Sequence, residues 1–448
     1  MTQPHPAAQR PASTQAEATT AAITPAATTP ATTSATSSPG ADHPRVSLLG
    51  TGGWRFMTAA AIGRLPASTL QLGLLMVVTG SGLGFTLGGL TVAAVGIGSA
   101  IGAPILGRLV DRRGPLPVVA GALLVQTIAL LLVLALVSTR ALPGPTVLAF
   151  AMLVGMANPQ VGPIARARWS HLAREHRSPD LISQAMGYEG AVDETSFVVG
   201  PVLAGLLVGL LGPVPALWCL LAFTWLGEGV FLVYLWRHRA DWARTTPTDT
   251  QSPAVAMPWA AMIWPLLAVL SVGTLFGATQ TSLTAINDLR GTPQFTGLVY
   301  GSMGIGSAVV SLLVVRLRSV PLGVRISVGA AIALVMTIVL SQLQTPLPSA
   351  LVAITVGAGV GAVLVSGISR VEQVAPSAII TQAMTFASTC ITLGVSLGAA
   401  VAGQLVSVPS RGFVPAMIAC AVAVVAGLVV LRSPHRGRSL IDQTGHRP

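Results

Sequence analysis

The chain has 448 residues, of which 52% are hydrophobic and only 9% are charged. Soluble domains carry about 25% charged residues, so this composition excludes an ordinary soluble protein and indicates a polytopic membrane protein. The net charge of +11 does not indicate a nucleic-acid partner, because the arginines lie in short gaps between apolar runs and form no continuous basic face.

Residues 1–52 consist mostly of Ala, Thr, Pro and Ser and carry almost no large apolar side chain. Such a segment buries too little apolar surface to offset the entropy that is lost on ordering. We therefore predict a disordered tail over these residues.

Beyond residue 52 the chain alternates apolar runs with short polar gaps. About 20 residues of helix span about 30 Å, the thickness of the hydrocarbon core, so each run predicts a membrane-spanning helix. The twelve runs lie near residues 55–79, 83–106, 116–138, 145–168, 185–211, 213–236, 259–282, 294–315, 323–342, 348–369, 378–407 and 412–431. The longest gap, 237–258, separates an N-terminal six-helix bundle (53–236) from a C-terminal one (259–431), and a tail follows at 432–448.

The arginines are distributed unequally between the two sides of this predicted helix set, and an even number of spans puts both termini on one side. The gaps on that side hold Arg108, Arg112, Arg113, Arg166, Arg168, Arg174, Arg177, Arg237, Arg239, Arg244, Arg316, Arg318, Arg325 and Arg370. The opposite gaps hold only Arg140, Arg290 and Arg411. Because basic gaps stay on the cytoplasmic side, we expect both termini in the cytoplasm and the protein in a bacterial-type cytoplasmic membrane.

The two halves of the chain contain related sequences. "GIGSAIGAPILGRLV" (96–110) matches "GIGSAVVSLLVVRLR" (304–318), and "ISQAMGYEG" (182–190) matches "ITQAMTFAS" (380–388). Two matches in the same order indicate duplication of a six-helix unit. Parallel repeats of this kind place a substrate site at their interface, near the bilayer midplane.

The gap between the second and third predicted helices reads "GRLVDRRG". It resembles the loop signature G-x-x-x-D-R-x-G of the major facilitator superfamily, and the resemblance covers roughly residues 55–431. The matching residues are Gly107, Asp111, Arg112 and Gly114. The resemblance implies two pseudo-symmetric six-helix bundles, alternating access and a monomer. It also implies that Asp111 and Arg112 form a latch that pairs in one conformation and releases in the other.

The fifth predicted helix contains "FVVGPVLAG". This resembles the Gly-Pro signature of proton-coupled drug antiporters in the same superfamily. Gly200, Pro201 and Gly205 match, whereas Ala204 replaces a glycine, and the helix-4 arginine of that group is absent. The resemblance implies proton-coupled export.

Three carboxylates, Glu189, Asp193 and Glu194, lie in the same run. A carboxylate inside a bilayer is costly unless it is paired or protonated. Residues 189 and 193 are four apart and share a helix face, while Glu194 lies about 100° around. Arg64 lies at similar depth in the first predicted helix, which runs parallel to the fifth, so an Arg64–Asp193 ion pair is possible.

One arginine cannot neutralise three carboxylates, and crowded carboxylates resist simultaneous ionisation. We therefore assign proton coupling to Asp193 and Glu189, with Glu194 and Arg64 beside them. Two alternatives stay open: a fixed ion pair that ties the first helix to the fifth, and acids that are solvated at the cytoplasmic mouth, Glu189 most readily. The equivalent positions of the eleventh run are uncharged, so a proton path is expected only in the N-terminal half.

Further polar residues interrupt the apolar runs. Asn158-Pro159 and Gly162-Pro163 are expected to break the fourth helix, as happens where a helix lines a cavity. Asn158, Gln160 and Gln280 are candidates for hydrogen bonds to a substrate, or for bonds to neighbouring helices at a kink. Glu228 in the sixth run is expected either to face lipid as the neutral acid or to take part in function.

Cysteines and histidines give no sign of a metal, a cofactor or a catalytic centre. Cys219, Cys390 and Cys420 lie in apolar runs without CxxC spacing, and the histidines lie in tails and polar gaps. We expect the cysteines to act as small hydrophobic residues. No Walker sequence indicates ATP binding, and no Ser-His or Cys-His arrangement indicates an enzyme.

These patterns together predict a secondary active transporter that exports a small, rather apolar molecule in exchange for protons. The apolar substrate follows from the scarcity of polar residues in the seventh, eighth, tenth and eleventh runs. Proton-linked uptake of a nutrient or amino acid is the alternative within transport. A membrane sensor or scaffold on the same fold is the alternative outside it.

Overall fold

The computed structural model of the chain describes residues 48–139, 144–176, 178–243, 257–314, 319–376 and 379–433. Within these ranges the ordered elements are helices, and twelve segments are long and apolar enough to cross a bilayer. The twelve predicted spans are therefore confirmed. Most of the predicted tail 1–52, of the central loop 237–258 and of the tail 432–448 lies outside the described residues.

The N-terminal half begins with a single helical turn and ends with a short helix after the sixth span. Its elements are α1 (Leu48–Thr51), α2 (Gly53–Val78), α3 (Phe85–Arg113), α4 (Pro115–Thr139), α5 (Gly144–Met156), α6 (Val161–Glu175), α7 (Pro179–Leu211), α8 (Pro213–Arg237) and α9 (Arg239–Ala243). The spans of the C-terminal half are α10 (Trp259–Leu289), α11 (Phe295–Val314), α12 (Leu322–Gln342), α13 (Pro346–Val374), α14 (Ile380–Leu405) and α15 (Val414–Arg432).

The fourth span is broken into α5 and α6, as the sequence predicted, but only at one of the two expected places. The break covers residues 157–160, around Asn158-Pro159. Gly162-Pro163 does not interrupt a helix, because both residues lie in the first turn of α6. Proline is tolerated there because the first N–H groups of a helix have no partner within the helix.

The outer surface of the bundle is apolar. Trp218, Trp225 and Trp236 of α8 point outward and are each about half exposed, at 53%, 49% and 56%. An apolar surface of this kind is compatible with lipid and unfavourable in water. The protein is therefore a multi-pass membrane protein.

Two pairs of antiparallel helices join the halves, α3 with α14 and α7 with α11. In both pairs, backbone atoms of the two helices are in direct contact. A Cβ atom added to Gly89 of α3 would lie 2.2 Å from the carbonyl oxygen of Ala399, and one added to Gly297 of α11 would lie 2.1 Å from that of Pro201. Only glycine allows such an approach.

These contacts lie at one end of the bundle. We call the end where α3 finishes and α7 starts the basic face, since Arg112, Arg113 and Arg174 are exposed there, and the other end the opposite face. Pro201 and Gly205 of α7 are buried near the opposite face, whereas Gly187 and Ala191 are exposed toward the basic face. The halves thus meet at the opposite face and separate toward the basic face.

We expect Gly297→Ala to disfavour this conformation by about 1–3 kcal/mol, because its methyl group would overlap the carbonyl of Pro201. The fold itself should survive, since this contact is between the halves. Spin labels can be placed at Leu210→Cys and Leu298→Cys on the opposite face, with the native cysteines replaced. Their distance should be longer in the Gly297→Ala variant than in the protein with Gly297.

Gly306→Ala is the matched control, because its Cβ would lie 1.8 Å from the carbonyl of Ile354 within the C-terminal half. That variant should lower the unfolding temperature without separating the labels. An unchanged label distance in a folded Gly297→Ala protein would contradict the account.

Candidate functional site

The three carboxylates of α7 point in two directions. Ser178 caps the helix by accepting a hydrogen bond from the Leu181 N–H at 3.4 Å. From that start, the helical spacing turns Glu189 and Asp193 toward α2 and α6 of the same half. Glu194 lies on the side of α7 that packs against α11 farther along the helix. The acids therefore do not form one cluster.

Glu189 is buried, with an exposed fraction of 2%. Its Oε2 atom forms an ion pair with Nη2 of Arg64, and its Oε1 atom accepts a hydrogen bond from Nε1 of Trp169 at 2.8 Å. The expectation that Glu189 is the acid most readily solvated at the mouth is wrong. It is wrong because α6 packs against α7 and places the indole ring of Trp169 over Glu189.

Asp193 lies between two arginines. Its Oδ1 atom is 3.1 Å from Nη1 of Arg64, and its Oδ2 atom is 3.1 Å from Nη2 and 3.3 Å from Nη1 of Arg166. The Arg64–Asp193 pair that the sequence made possible is thus formed. Asp193 and Arg166 are each 35% exposed, whereas Arg64 is 7% exposed. Of the two carboxylates that pair with Arg64, Asp193 is the exposed one.

Sequence reasoning missed Arg166 and Trp169, both on α6. It counted Arg166 among the arginines of a polar gap, although the residue lies in a helix at the level of Asp193. The three-residue spacing of Arg166 and Trp169 is the signal that they share a helix face. Two arginines therefore pair with two carboxylates. We call Arg64, Arg166, Trp169, Glu189 and Asp193 the arginine–carboxylate network.

Arg64 is held in place by packing between α2 and α7. The Ser68 hydroxyl donates to the backbone oxygen of Ser196 at 2.8 Å, and a Cβ atom at Gly200 would lie 2.3 Å from the Ser68 hydroxyl oxygen. Gly200 therefore lets α7 approach α2. Pro201 and Gly205, the other residues of the Gly-Pro motif, face α11 instead.

Glu194 is partly exposed and forms no ion pair with any residue that the structure describes. The latch residues Asp111 and Arg112 are exposed at the end of α3, and the salt bridges found among the described residues do not include them. Gly114 caps α3 with a φ of +81°, a conformation that favours glycine. In this conformation Asp111 and Arg112 do not form the pair that the superfamily resemblance implies, and the latch stays a prediction.

The residues proposed to line the cavity lie in two separate parts of the structure. Asn158 and Gln160 lie at the break between α5 and α6, where the Gln160 amide donates to the backbone oxygen of Asn158 at 3.1 Å. Gln280 is buried within α10, with 2% of its surface exposed. It does not line an open surface in this conformation.

Glu228 does not face lipid, and that alternative is wrong. The side chain is 1% exposed and lies against Gln126 of α4. With its amide nitrogen turned toward the acid, Gln126 donates to both carboxyl oxygens, at 2.9 and 3.1 Å. This acid–amide pair joins the third and sixth spans, separately from the arginine–carboxylate network.

Comparisons with known proteins agree with this architecture. The family model described as Major Facilitator Superfamily matches residues 40–399. No curated protein sequence matches the chain significantly.

Solved structures of transporters superpose on most of the chain. The nucleoside transporter NupG gives a TM-score of 0.60 at 13% identity, over 84% of this chain and 98% of its own. A bacterial homologue of the iron transporter ferroportin, in an inward-facing state, gives 0.59 at 14% identity over 86% and 99%. A bacterial homologue of the human lysosomal transporter Spinster, inward-facing and unoccupied, gives 0.58 at 14% identity over 85% and 98%. At such low identity the likeness is one of fold.

The burial of Glu189 makes Arg64 the most sensitive residue of the network. We expect Arg64→Gln to destabilise the protein by about 3–5 kcal/mol, because it leaves a buried carboxylate without its cation. The double variant Arg64→Gln/Glu189→Gln should be more stable than the single one. Thermal unfolding in detergent measures both.

Arg166→Gln is the control, because the Arg166–Asp193 pair is partly exposed and such pairs contribute about 0–1 kcal/mol. Equal losses of stability in Arg64→Gln and Arg166→Gln would contradict the assignment of Arg64 as the buried counter-ion.

Proposed function

The chain belongs to the major facilitator superfamily and is a secondary transporter that works by alternating access; we propose that protons drive it and that its substrate is a small, rather apolar molecule. The observation that carries the proton proposal is the position of Asp193. This carboxylate lies within the fifth candidate membrane span, is 35% exposed, and is shared by two arginines from two different helices.

Adding a proton to Asp193 would change the contacts between α6 and α7. Arg64 would keep Glu189 as its partner, whereas Arg166 has no second carboxylate among the described residues. The proton therefore decides whether Arg166 of α6 is paired with α7, while the hydrogen bond from Trp169 to Glu189 remains. An ion pair that forms in one protonation state and opens in the other gives the two-state element that coupling requires.

We assign the basic face to the cytoplasm on the basis of the arginine asymmetry. The conformation described above is then inward-facing. In the outward-facing conformation the halves would close at the basic face, and Asp111 and Arg112 would take up the contacts that the superfamily resemblance implies. Both termini would lie in the cytoplasm.

We infer the substrate class from the helices that the C-terminal half would contribute to a cavity between the halves. The described residues of α11 and α14 carry no charged side chain, and α10 carries only Asp288, which lies at its far end. A strongly charged molecule would find few oppositely charged partners there. A rather apolar molecule would bind by contact with these helices.

Two directions of transport fit this site. Export in exchange for protons is the first candidate, because Gly200, Pro201 and Gly205 match the antiporter motif and lie at helix contacts. Proton-linked uptake of a nutrient or amino acid is the second, because Asp193 is exposed in this inward-facing conformation and would release to the cytoplasm a proton carried in with the substrate.

The test is proton movement in reconstituted vesicles that contain a pH-sensitive dye. We would add hydrophobic cations, neutral drugs, sugars and amino acids one at a time. Exchange should consume an imposed proton gradient, whereas co-transport should acidify the lumen without one. We expect Asp193→Asn to abolish the proton signal, with at least a tenfold loss, while the protein stays folded.

Glu228→Gln is the matched control, since it neutralises a buried acid of the same half outside the network. It should retain the wild-type signal. Full gradient-driven flux in Asp193→Asn would refute the proton assignment. If the wild type neither transports nor binds any of these compounds, a role as a sensor or scaffold would be favoured.

A further inference from the structure

The contact between α7 and α11 has a regular register at the opposite face. A Cβ atom at Gly304 would lie 2.2 Å from Cγ2 of Val198, one at Gly297 would meet the oxygen of Pro201, and one at Gly209 would lie 2.3 Å from Cα of Gln294. Residue numbers rise along α7 as they fall along α11. The helices are antiparallel, and each turn of one faces one turn of the other.

This register can be extended by one turn toward the basic face. At about 100° per residue, Glu194 lies within about 40° of the direction of Val198, whereas Asp193 lies about 140° away. The position on α11 that continues the pairing with Glu194 is Ala308, and Leu312 is one turn beyond it. Glu194 therefore belongs to the surface between the halves, and Asp193 does not.

This part of the surface is exposed in the described conformation. Ala191 and Thr195 of α7 are exposed beside the partly exposed Glu194, and Leu312 of α11 is 77% exposed. The halves have separated here, so a charge on Glu194 can be hydrated.

Among the described residues of α11, none is a cation that would neutralise Glu194 when the halves come together. From Phe295 to Val314, α11 contains no charged or titratable residue except Tyr300, which lies toward the opposite face. On the far side of α7, Arg64 and Arg166 already pair with Glu189 and Asp193.

We propose that Glu194 is a second proton-binding site, and that it must bind a proton before α7 and α11 can close at the basic face. Closure moves this side chain from water to the apolar surface around Ala308. An ionised carboxylate without a partner is unfavourable on such a surface, whereas the neutral acid is tolerated. The proton comes from water at the open basic face and leaves when that face reopens.

The proposal rests on proton-driven transport, but it assigns a different task from that of Asp193. Protonation of Asp193 releases Arg166 within the N-terminal half. Protonation of Glu194 permits contact between the halves. Acidification should therefore favour closure of the basic face, and alkaline pH should favour the open conformation.

The experiment measures closure directly and needs no substrate. Spin labels are placed at Gly187→Cys and Leu312→Cys, both exposed in the open conformation, with the three native cysteines replaced. Distance distributions are recorded in lipid nanodiscs over a pH series. We expect the short-distance fraction to rise as the pH falls, and Glu194→Gln to keep it high at every pH, so that its pH dependence drops at least fivefold.

Glu372→Gln is the matched control, because Glu372 is an exposed acid of α13 away from this surface. It should titrate like the wild type, and Glu194→Asp should retain a pH-dependent distance. A Glu194→Gln protein whose distances titrate like the wild type would overturn the proposal. Loss of proton flux in Asp193→Asn is a separate readout, so failure of one assignment does not decide the other.

Discussion

A charge inside a bilayer has to be paired or neutralised, and this constraint organises the N-terminal half. Arg64 and Glu189 are both buried and form an ion pair, while the indole N–H of Trp169 donates a hydrogen bond to the second carboxylate oxygen. Asp193 extends the pair to Arg166, so two positive and two negative groups balance. Because Asp193 and Arg166 are also the exposed members, a proton can enter the network without exposing the buried pair.

A second constraint acts between the halves. Helices can slide or rock only where their surfaces carry no interlocking side chains, and Gly89, Gly297 and Gly205 supply such surfaces at the opposite face. The same row of α7 continues toward the basic face through Glu194. One helix thus combines a close backbone contact, an acid at the dividing surface and the acids of the network, and our proposals assign both proton binding and domain movement to it.

The fold followed from the sequence because each membrane span has its own signal, an apolar run of sufficient length. The break at Asn158-Pro159 was equally visible, since proline removes a backbone donor. The site was only partly predictable. Arg64 and Asp193 could be matched by depth, but Arg166 and Trp169 depend on how α6 continues after the break, and a one-dimensional pattern does not contain that angle.

The same limit explains the two wrong expectations about buried acids. Glu189 lies near the end of a predicted span, where sequence position suggests water, yet the fold covers it with Trp169. Glu228 lies in a peripheral helix, yet Gln126 of α4 faces it. Burial of a polar side chain in a membrane helix depends on which helix lies beside it, and spacing along one helix does not give that neighbour.

The central claim is that Asp193 takes up and releases a proton. Infrared difference spectroscopy of the reconstituted protein between acidic and alkaline pH tests it most directly, through the C=O stretch of a protonated carboxylic acid. The account predicts that one component of this band appears on acidification and is missing in Asp193→Asn but present in Glu228→Gln. A spectrum that is identical in the wild type and in Asp193→Asn would contradict it.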